Sequence, residues 1–191
     1  QVIATLYKLG FNLKDISNEI SHFPGIPGRM EKIKINKNSS LNYLPDVFID
    51  YAHTPDGLKN VLESLRTFSK GKRILTVFGC GGDRDSKKRS IMGNIAEKFS
   101  DYVFITSDNP RKENPKKIIQ DILEGISDKN KISIDIDRHN AIKKAISFAG
   151  KDDIVLIAGK GHENYQILKN KTIDFDDKKT AENILFDKLN S

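Results

Sequence analysis

The string Asp108-Asn109-Pro110-Arg111 places an arginine directly after a proline. Proline limits the local backbone and so fixes where the arginine points, and a guanidinium on a stiff loop suits bidentate capture of a carboxylate. Asp, Asn and Pro also favour turns, so an ordinary turn accounts for the same residues. Gly79-Cys80-Gly81-Gly82-Asp83-Arg84-Asp85 precedes Lys87, Lys88 and Arg89. It reads either as a nest of backbone N–H groups for an anion or as a flexible turn followed by solvated charge. It matches neither GxxxxGK[ST] nor GxGxxG. Arg84 has the fork to take a carboxylate, whereas Cys80 lacks an evident base to activate it as a nucleophile.

Two further strings carry polar chemistry. In Asp50-Tyr51-Ala52-His53-Thr54-Pro55-Asp56, Asp50 offers an acceptor for ribose hydroxyls and His53 a ring to lie against a purine. Thr54, Pro55 and Asp56 are equally the residues that cap and open a helix. In Ala158-Gly159-Lys160-Gly161-His162-Glu163, the glycines let the backbone approach a ligand, and Glu163 suits an ammonium group. His162 is read as a structural or hydrogen-bonding partner ahead of a general base. The histidines at 22, 53, 139 and 162 have no metal-ligand spacing, so no metal is expected on this chain alone.

The elements that must hold these strings follow from periodicity. Apolar positions at Val2, Ile3, Leu6 and Leu9, then at Leu13, Ile16 and Ile20, give two short helices, the second ending before His22. A Pro/Gly turn at residues 23–28, a strand over 30–35 and a polar loop over 36–43 follow, and the loop is taken as a domain boundary. From Pro45 the rhythm becomes strand, helix, strand. Strands are expected at 47–51, 73–78, 102–106, 132–136 and 153–158. Helices are expected after Thr54, Ser86, Asn114 and Arg138 and from about Lys178, with a hairpin over 165–168 and 172–175. This alternation specifies an α/β domain, Rossmann-like and three-layered, with a mainly parallel sheet and helices on both faces. Every distinctive string sits just after a strand, where such sheets gather ligands.

Composition bounds the function. The 191 residues suit one domain plus a smaller piece, with 37% hydrophobic and 30% charged residues, and the chain begins at Gln1 and is read as a fragment. No apolar run approaches the ~20 residues of a membrane span, and a single cysteine rules out an internal disulfide and suits a reducing compartment. The net charge of +6 is spread over lysines interleaved with acids, without a basic stripe. Nucleic-acid binding is therefore not expected, and small acidic ligands fit better.

Taken together and in this order, GIPGRME at 25–31, DYAHTPD at 50–56, GCGGDRD at 79–85, DNPR at 108–111 and AGKGHE at 158–163 resemble the MurE branch of the Mur ligase family. The resemblance implies the end of a central ATPase domain in residues 1–36 and a complete amino-acid-binding domain in residues 44–191. It implies a cytoplasmic, monomeric ligase of peptidoglycan biosynthesis that uses ATP and Mg2+ to join meso-diaminopimelate to UDP-MurNAc-L-Ala-D-Glu through an acyl phosphate. The phosphate-binding loop, carbamylated lysine and magnesium ligands of the family are missing from this stretch. The fragment alone is therefore expected to be inactive, without a catalytic residue of its own and without bound cofactor. By the same resemblance Arg29, Asp50 and His53 belong to the ATP site, and Arg84, Asp108, Asn109, Pro110, Arg111, Gly159 and Glu163 bind diaminopimelate. Lanthionine or lysine as the added amino acid, or a stand-alone ligand-binding module, are the competing readings.

Overall fold

The computed structural model describes residues 2–23, 25–35 and 43–190. Five strands run parallel: β2 (Asp46–Asp50), β3 (Ile74–Phe78), β4 (Tyr102–Ile105), β5 (Ile132–Ile134) and β6 (Ile154–Ala158). Their spatial order is β2-β6-β3-β4-β5, and β1 (Glu31–Lys32) adds an antiparallel edge beside β2. The central strands β3 and β6 read ILTVF and IVLIA and are buried at every position, as expected of a parallel sheet covered on both faces.

Alternation along the strands divides the core in two. Ile74, Phe78, Leu156 and Ala158 pack with α3 (Pro55–Phe68), α4 (Lys87–Phe99) and α5 (Pro115–Leu123). Leu75, Val77, Val155 and Ile157 pack with α6 (Arg138–Phe148) and α7 (Asp177–Leu189) on the opposite face. The three-layer α/β architecture expected from the sequence is thus the one found. The cap-then-proline signals hold as well: Thr54 Oγ1 accepts from Gly57 N at 3.1 Å, and Asn114 Oδ1 from Lys116 N at 3.0 Å.

Three elements are shorter or start elsewhere. The strand expected over 132–136 ends at Ile134, because Asp135 Oδ1 accepts from Asp137 N and turns the chain, and Asp137 then caps α6. The segment expected as a strand over 30–35 keeps only β1: Met30 adopts φ 45° just before it, and beyond it Ile33 N still donates to Val47 O at 2.9 Å. The last helix begins at Asp177, capped by Asp176. The hairpin is found as β7 (Tyr165–Ile167) and β8 (Thr172–Asp174). Of the two leading helices, α1 (Val2–Lys8) buries no residue and α2 (Leu13–His22) only Ile16. The boundary loop at 36–43 lies outside the described residues except for Tyr43, as do Gln1, Pro24 and Ser191. No helix among the described residues is long and apolar enough to cross a membrane.

Because β6 is inserted between β2 and β3, the connection from β2 to β3 crosses over it and the loops after β2, β6 and β3 converge at one edge. Two ion pairs brace this arrangement. Arg138 and Asp177 are both fully buried, with Nε–Oδ1 and Nη2–Oδ2 each at 2.7 Å. Arg138 Nη2 also donates to Ala158 O at 3.0 Å, at the end of β6. At the other end of the sheet Arg73 forks onto Asp153 at 2.9 and 2.6 Å.

Replacing Asp177 with Asn leaves a buried guanidinium without its counter-charge. That substitution is expected to lower the unfolding free energy by about 3–5 kcal/mol, read from urea denaturation; an unchanged midpoint would show that the pair does not secure α7. Asp153 gives a pH dependence. Burial acts to raise its pKa, but Arg73 and the Gly150 N–H outweigh burial and hold the carboxyl below the usual aspartate range. With the folded value lowered, this stabilisation is complete above about pH 4 and is lost as pH falls through the folded pKa. Asp153→Asn is expected to make melting temperature fall less steeply below about pH 4 than in the parent chain.

Candidate functional site

The loops at the carboxyl edge of the sheet form two adjoining regions. In the first, Asp50 at the end of β2 accepts from Met30 N through Oδ2 and from Ala52 N through Oδ1, both at 2.8 Å. It thereby ties the turn at 25–31 to the sheet. Tyr51 lies beside His53 at 4.6 Å and His162 at 5.6 Å between ring centroids, with the Arg29 guanidinium 5.7 Å from its own ring. Arg29, Asp50 and His53 line one open cavity of about 410 Å³ together with Tyr51, Asn60 and Ser64. The three residues expected at an ATP site therefore share a cavity with a cation, an acceptor and aromatic faces. His53 Nδ1 is 2.9 Å from Tyr51 O, and Lys88 Nζ donates to His53 O at 2.9 Å, so helix α4 steadies this loop.

The second region is built by the loops after β3, β4 and β6. Glycines at 79–82 are needed because another backbone presses on them. A Cβ at Gly79 would lie 2.3 Å from Thr106 O, and one at Gly82 only 2.0 Å from Pro110 O. Gly82 N donates to Asn109 O at 2.9 Å, and Asp83 N to Glu113 Oε1. This loop is thus a buried seat for the segment 108–111, and neither the anion nest nor the flexible turn that the sequence left open describes it. Arg89, itself buried, holds the seat: it donates to Gly81 O at 3.3 Å, to Glu113 at 2.9 and 2.8 Å, and to Asp121 at 2.8 Å. The Arg89 hydrogen bond keeps the Glu113 carboxyl below its usual range against the effect of burial.

Asp108, Asn109 and Pro110 are buried, and Arg111 is half-buried in the left-handed region at φ 52°. Arg111 Nη1 donates to Gly82 O at 2.9 Å and to Asn109 O at 3.3 Å. Among the described residues Nε and Nη2 have no protein partner, and these two form a fork able to take a carboxylate. A Cβ at Gly81 would meet Arg111 Nη1 at 3.0 Å and Arg84 Cγ at 3.7 Å, which sets both arginines around this glycine. Arg84 is exposed, with one bond from Nη1 to Asp83 O at 3.1 Å. Glu163 receives Asn109 Nδ2 at 3.1 Å, and Gly159 adopts φ 118° behind it. A cavity of about 330 Å³ is lined by Pro110 and Arg111, though not by Arg84, Gly159 or Glu163. A larger cleft of about 1030 Å³ lies between the end of β5, the hairpin and α7, and contains none of the expected site residues.

Sequence reasoning missed Lys160 and Gln166 as parts of this region. Lys160 is fully buried, and Gln166 Nε2 donates to Asp108 O at 2.6 Å. The only available signal was a lysine enclosed by two glycines after an apolar strand. Cys80 is buried with Sγ 3.7 Å from Met92 Sδ, and burial pushes its thiol up to about 12. Among the described residues no group of three or more His, Cys, Asp or Glu side chains is arranged to hold a metal ion.

Residues 28–161 match the family model described as Mur ligase, glutamate ligase domain. The chain is 62% identical, over its full length, to the UDP-N-acetylmuramoyl-L-alanyl-D-glutamate--2,6-diaminopimelate ligase of Prochlorococcus marinus subsp. pastoris, and spans 37% of that protein. The enzyme of the same name from Clostridium botulinum is 51% identical over 92% of the chain, which spans 35% of it. A solved structure of a ligase of that name superposes with a TM-score of 0.78 at 36% identity, covering 99% of this chain and 37% of the other. A UDP-N-acetylmuramate-alanine ligase from Thermotoga maritima, at 19% identity and a TM-score of 0.65, shares the fold.

Cys80 is expected to resist a thiol reagent such as dithionitrobenzoate in the native chain and to react fully in denaturant. Rapid native reaction would contradict its enclosure between β3 and α4.

Proposed function

This chain belongs to the Mur ligase family, and from that premise we propose that it is the amino-acid-binding part of a cytoplasmic, ATP-dependent ligase of peptidoglycan biosynthesis. The proposed reaction joins meso-diaminopimelate to UDP-MurNAc-L-Ala-D-Glu. Both relatives named above carry the diaminopimelate ligase name, and the chain spans little more than a third of their length. The observation that carries the reading here is the free Nε–Nη2 fork of Arg111 on a loop otherwise bound to its neighbours.

Diaminopimelate differs from lysine by a carboxylate beside the distal amine. Arg111 and Arg84 answer that carboxylate, and Glu163 answers the amine. Asp108, Asn109, Pro110 and Gly159 shape the loops that present them. Arg29, Asp50 and His53 hold the nucleotide: Asp50 keeps acceptor capacity beyond its two backbone bonds, and Arg29 brings positive charge for phosphate. ATP with Mg2+ supplies the phosphoryl group that activates the glutamyl carboxylate, and the metal ligands belong to the remainder of the longer protein. The contribution of this chain is to orient the attacking amine, the step in which positioning is worth most.

We assign α1 and α2 to the end of the preceding ATP-binding domain. Their side chains Val2, Tyr7 and Leu13 are more than half exposed here and fit a contact with it. Strand β1, grouped with those helices in the sequence reading of residues 1–36, is hydrogen-bonded into the sheet of the following domain.

The test is ligation by the full-length protein offered meso-diaminopimelate, lanthionine and lysine. The two dicarboxylates are expected to be preferred. Arg111→Ala is expected to lower kcat/KM for meso-diaminopimelate about 30- to 100-fold, the loss of one charge-assisted pair, while use of lysine stays unchanged. Equal use of lysine by the parent protein would sink the selectivity and leave only the family.

A further inference from the structure

We propose that Lys160 is a positioning residue of the amino-acid site, a buried ammonium that orients Glu163 through the side-chain amide of Asn109. This rests on the reading of the loops after β4 and β6 as the amino-acid site. Lys160 follows β6 and has no solvent exposure, yet its Nζ meets polar groups from two segments, residues 108–109 and 163–165. It donates to Tyr165 O at 2.8 Å and to Asn109 Oδ1 at 3.0 Å. It lies 3.1 Å from Asp108 Oδ1, an ionic contact without hydrogen-bond alignment. Two hydrogen bonds and one ion pair thus hold the ammonium.

These contacts fix the Asn109 amide. Its Oδ1 accepts from both Lys160 Nζ and Ile167 N, the latter at 2.9 Å, and reversing the amide would set a donor against two donors. Nδ2 must therefore point away from them, and it donates to Glu163 Oε2 at 3.1 Å. The direct distance from Lys160 Nζ to Glu163 Oε2 is longer, 3.7 Å, so orientation passes through the amide. Glu163 Oε1 has no partner among the described residues and remains for an incoming ammonium.

Charge points the same way. One buried ammonium stands against the carboxylates of Asp108 and Glu163, leaving a single negative charge. The neighbouring Arg138 is already neutralised by Asp177. A net charge of this sign and size complements one amine of a diamino acid, and without Lys160 the carboxylates of Asp108 and Glu163 would lose the ammonium that stands between them.

The experiment compares full-length parent, Lys160→Met and Lys160→Gln proteins, measuring KM for meso-diaminopimelate and for ATP separately, with a thermal melt of each. Lys160→Met is expected to raise the amino-acid KM about 30-fold or more while the ATP KM stays within about twofold. Lys160→Gln, which keeps a neutral donor, is expected to fall between it and the parent, and its KM decides the matter if Lys160→Met does not fold. A lowered melting temperature with an unchanged amino-acid KM, or both KM values rising together, would overturn the proposal. A parent protein that uses diaminopimelate alongside normal Lys160 variants overturns this inference alone. A parent that uses no diamino acid overturns the functional reading and this inference with it.

Discussion

Cations buried behind the carboxyl edge of the sheet set the geometry of everything in front of it. Arg89, Arg138 and Lys160 are among the largest fully buried side chains of the chain. The strands end in loops whose carbonyls and side chains are packed away from water, and unpaired polar groups there would be costly. Arg138 takes Ala158 O, Arg89 takes Gly81 O and Lys160 takes Tyr165 O, each while paired with carboxylate. Hydrophobic packing places the helices on the sheet, but these cations decide how the loops after β3, β4 and β6 meet.

The two regions of the edge share a short segment. A Cβ on Gly161 would lie 2.7 Å from Tyr51 Cβ, and one on Gly28 would lie 2.3 Å from His162 N. The turn at 25–31, the end of β2 and the loop after β6 are therefore in backbone contact at one point. On one side of that loop His162 faces Tyr51, which lines the cavity of Arg29, Asp50 and His53. On the other, Lys160 and Glu163 face Asp108 and Asn109.

Local patterns in the chain carried much of this. Thr54-Pro55 and Asn114-Pro115 announce their helices because capping is settled within a few residues, and the apolar runs of β3 and β6 announce central strands. The strings 50–56, 79–85, 108–111 and 158–163 fall at strand ends, as their order implied. What stayed hidden depends on distant partners. Arg138 and Asp177 are 39 positions apart, and Lys160 and Asn109 are 51 apart, so nothing near either residue marks it as buried. The glycines at 79–82 looked like a cradle or a hinge because the backbone that presses on them arrives 27 or more residues later, from Thr106 and Pro110. Strand β5 was overestimated for a local reason that propensity alone does not weigh: Asp135 bends the chain after Ile134.

The side chain of Arg111 rests on two backbone carbonyls, while the loop that bears it is fastened by Lys160, Gln166 and the glycine seat. Frame and reader are thus separate parts. On the proposed reading a change at Arg111 alters what the loop recognises and gives up the side chain's bonds to Gly82 O and Asn109 O, while those made by Lys160, Gln166 and the Gly82 N–H stay in place. On that same reading, descendants of such a domain are free to drift from one amino acid to another by altering a single half-buried side chain, without first surviving a loss of fold.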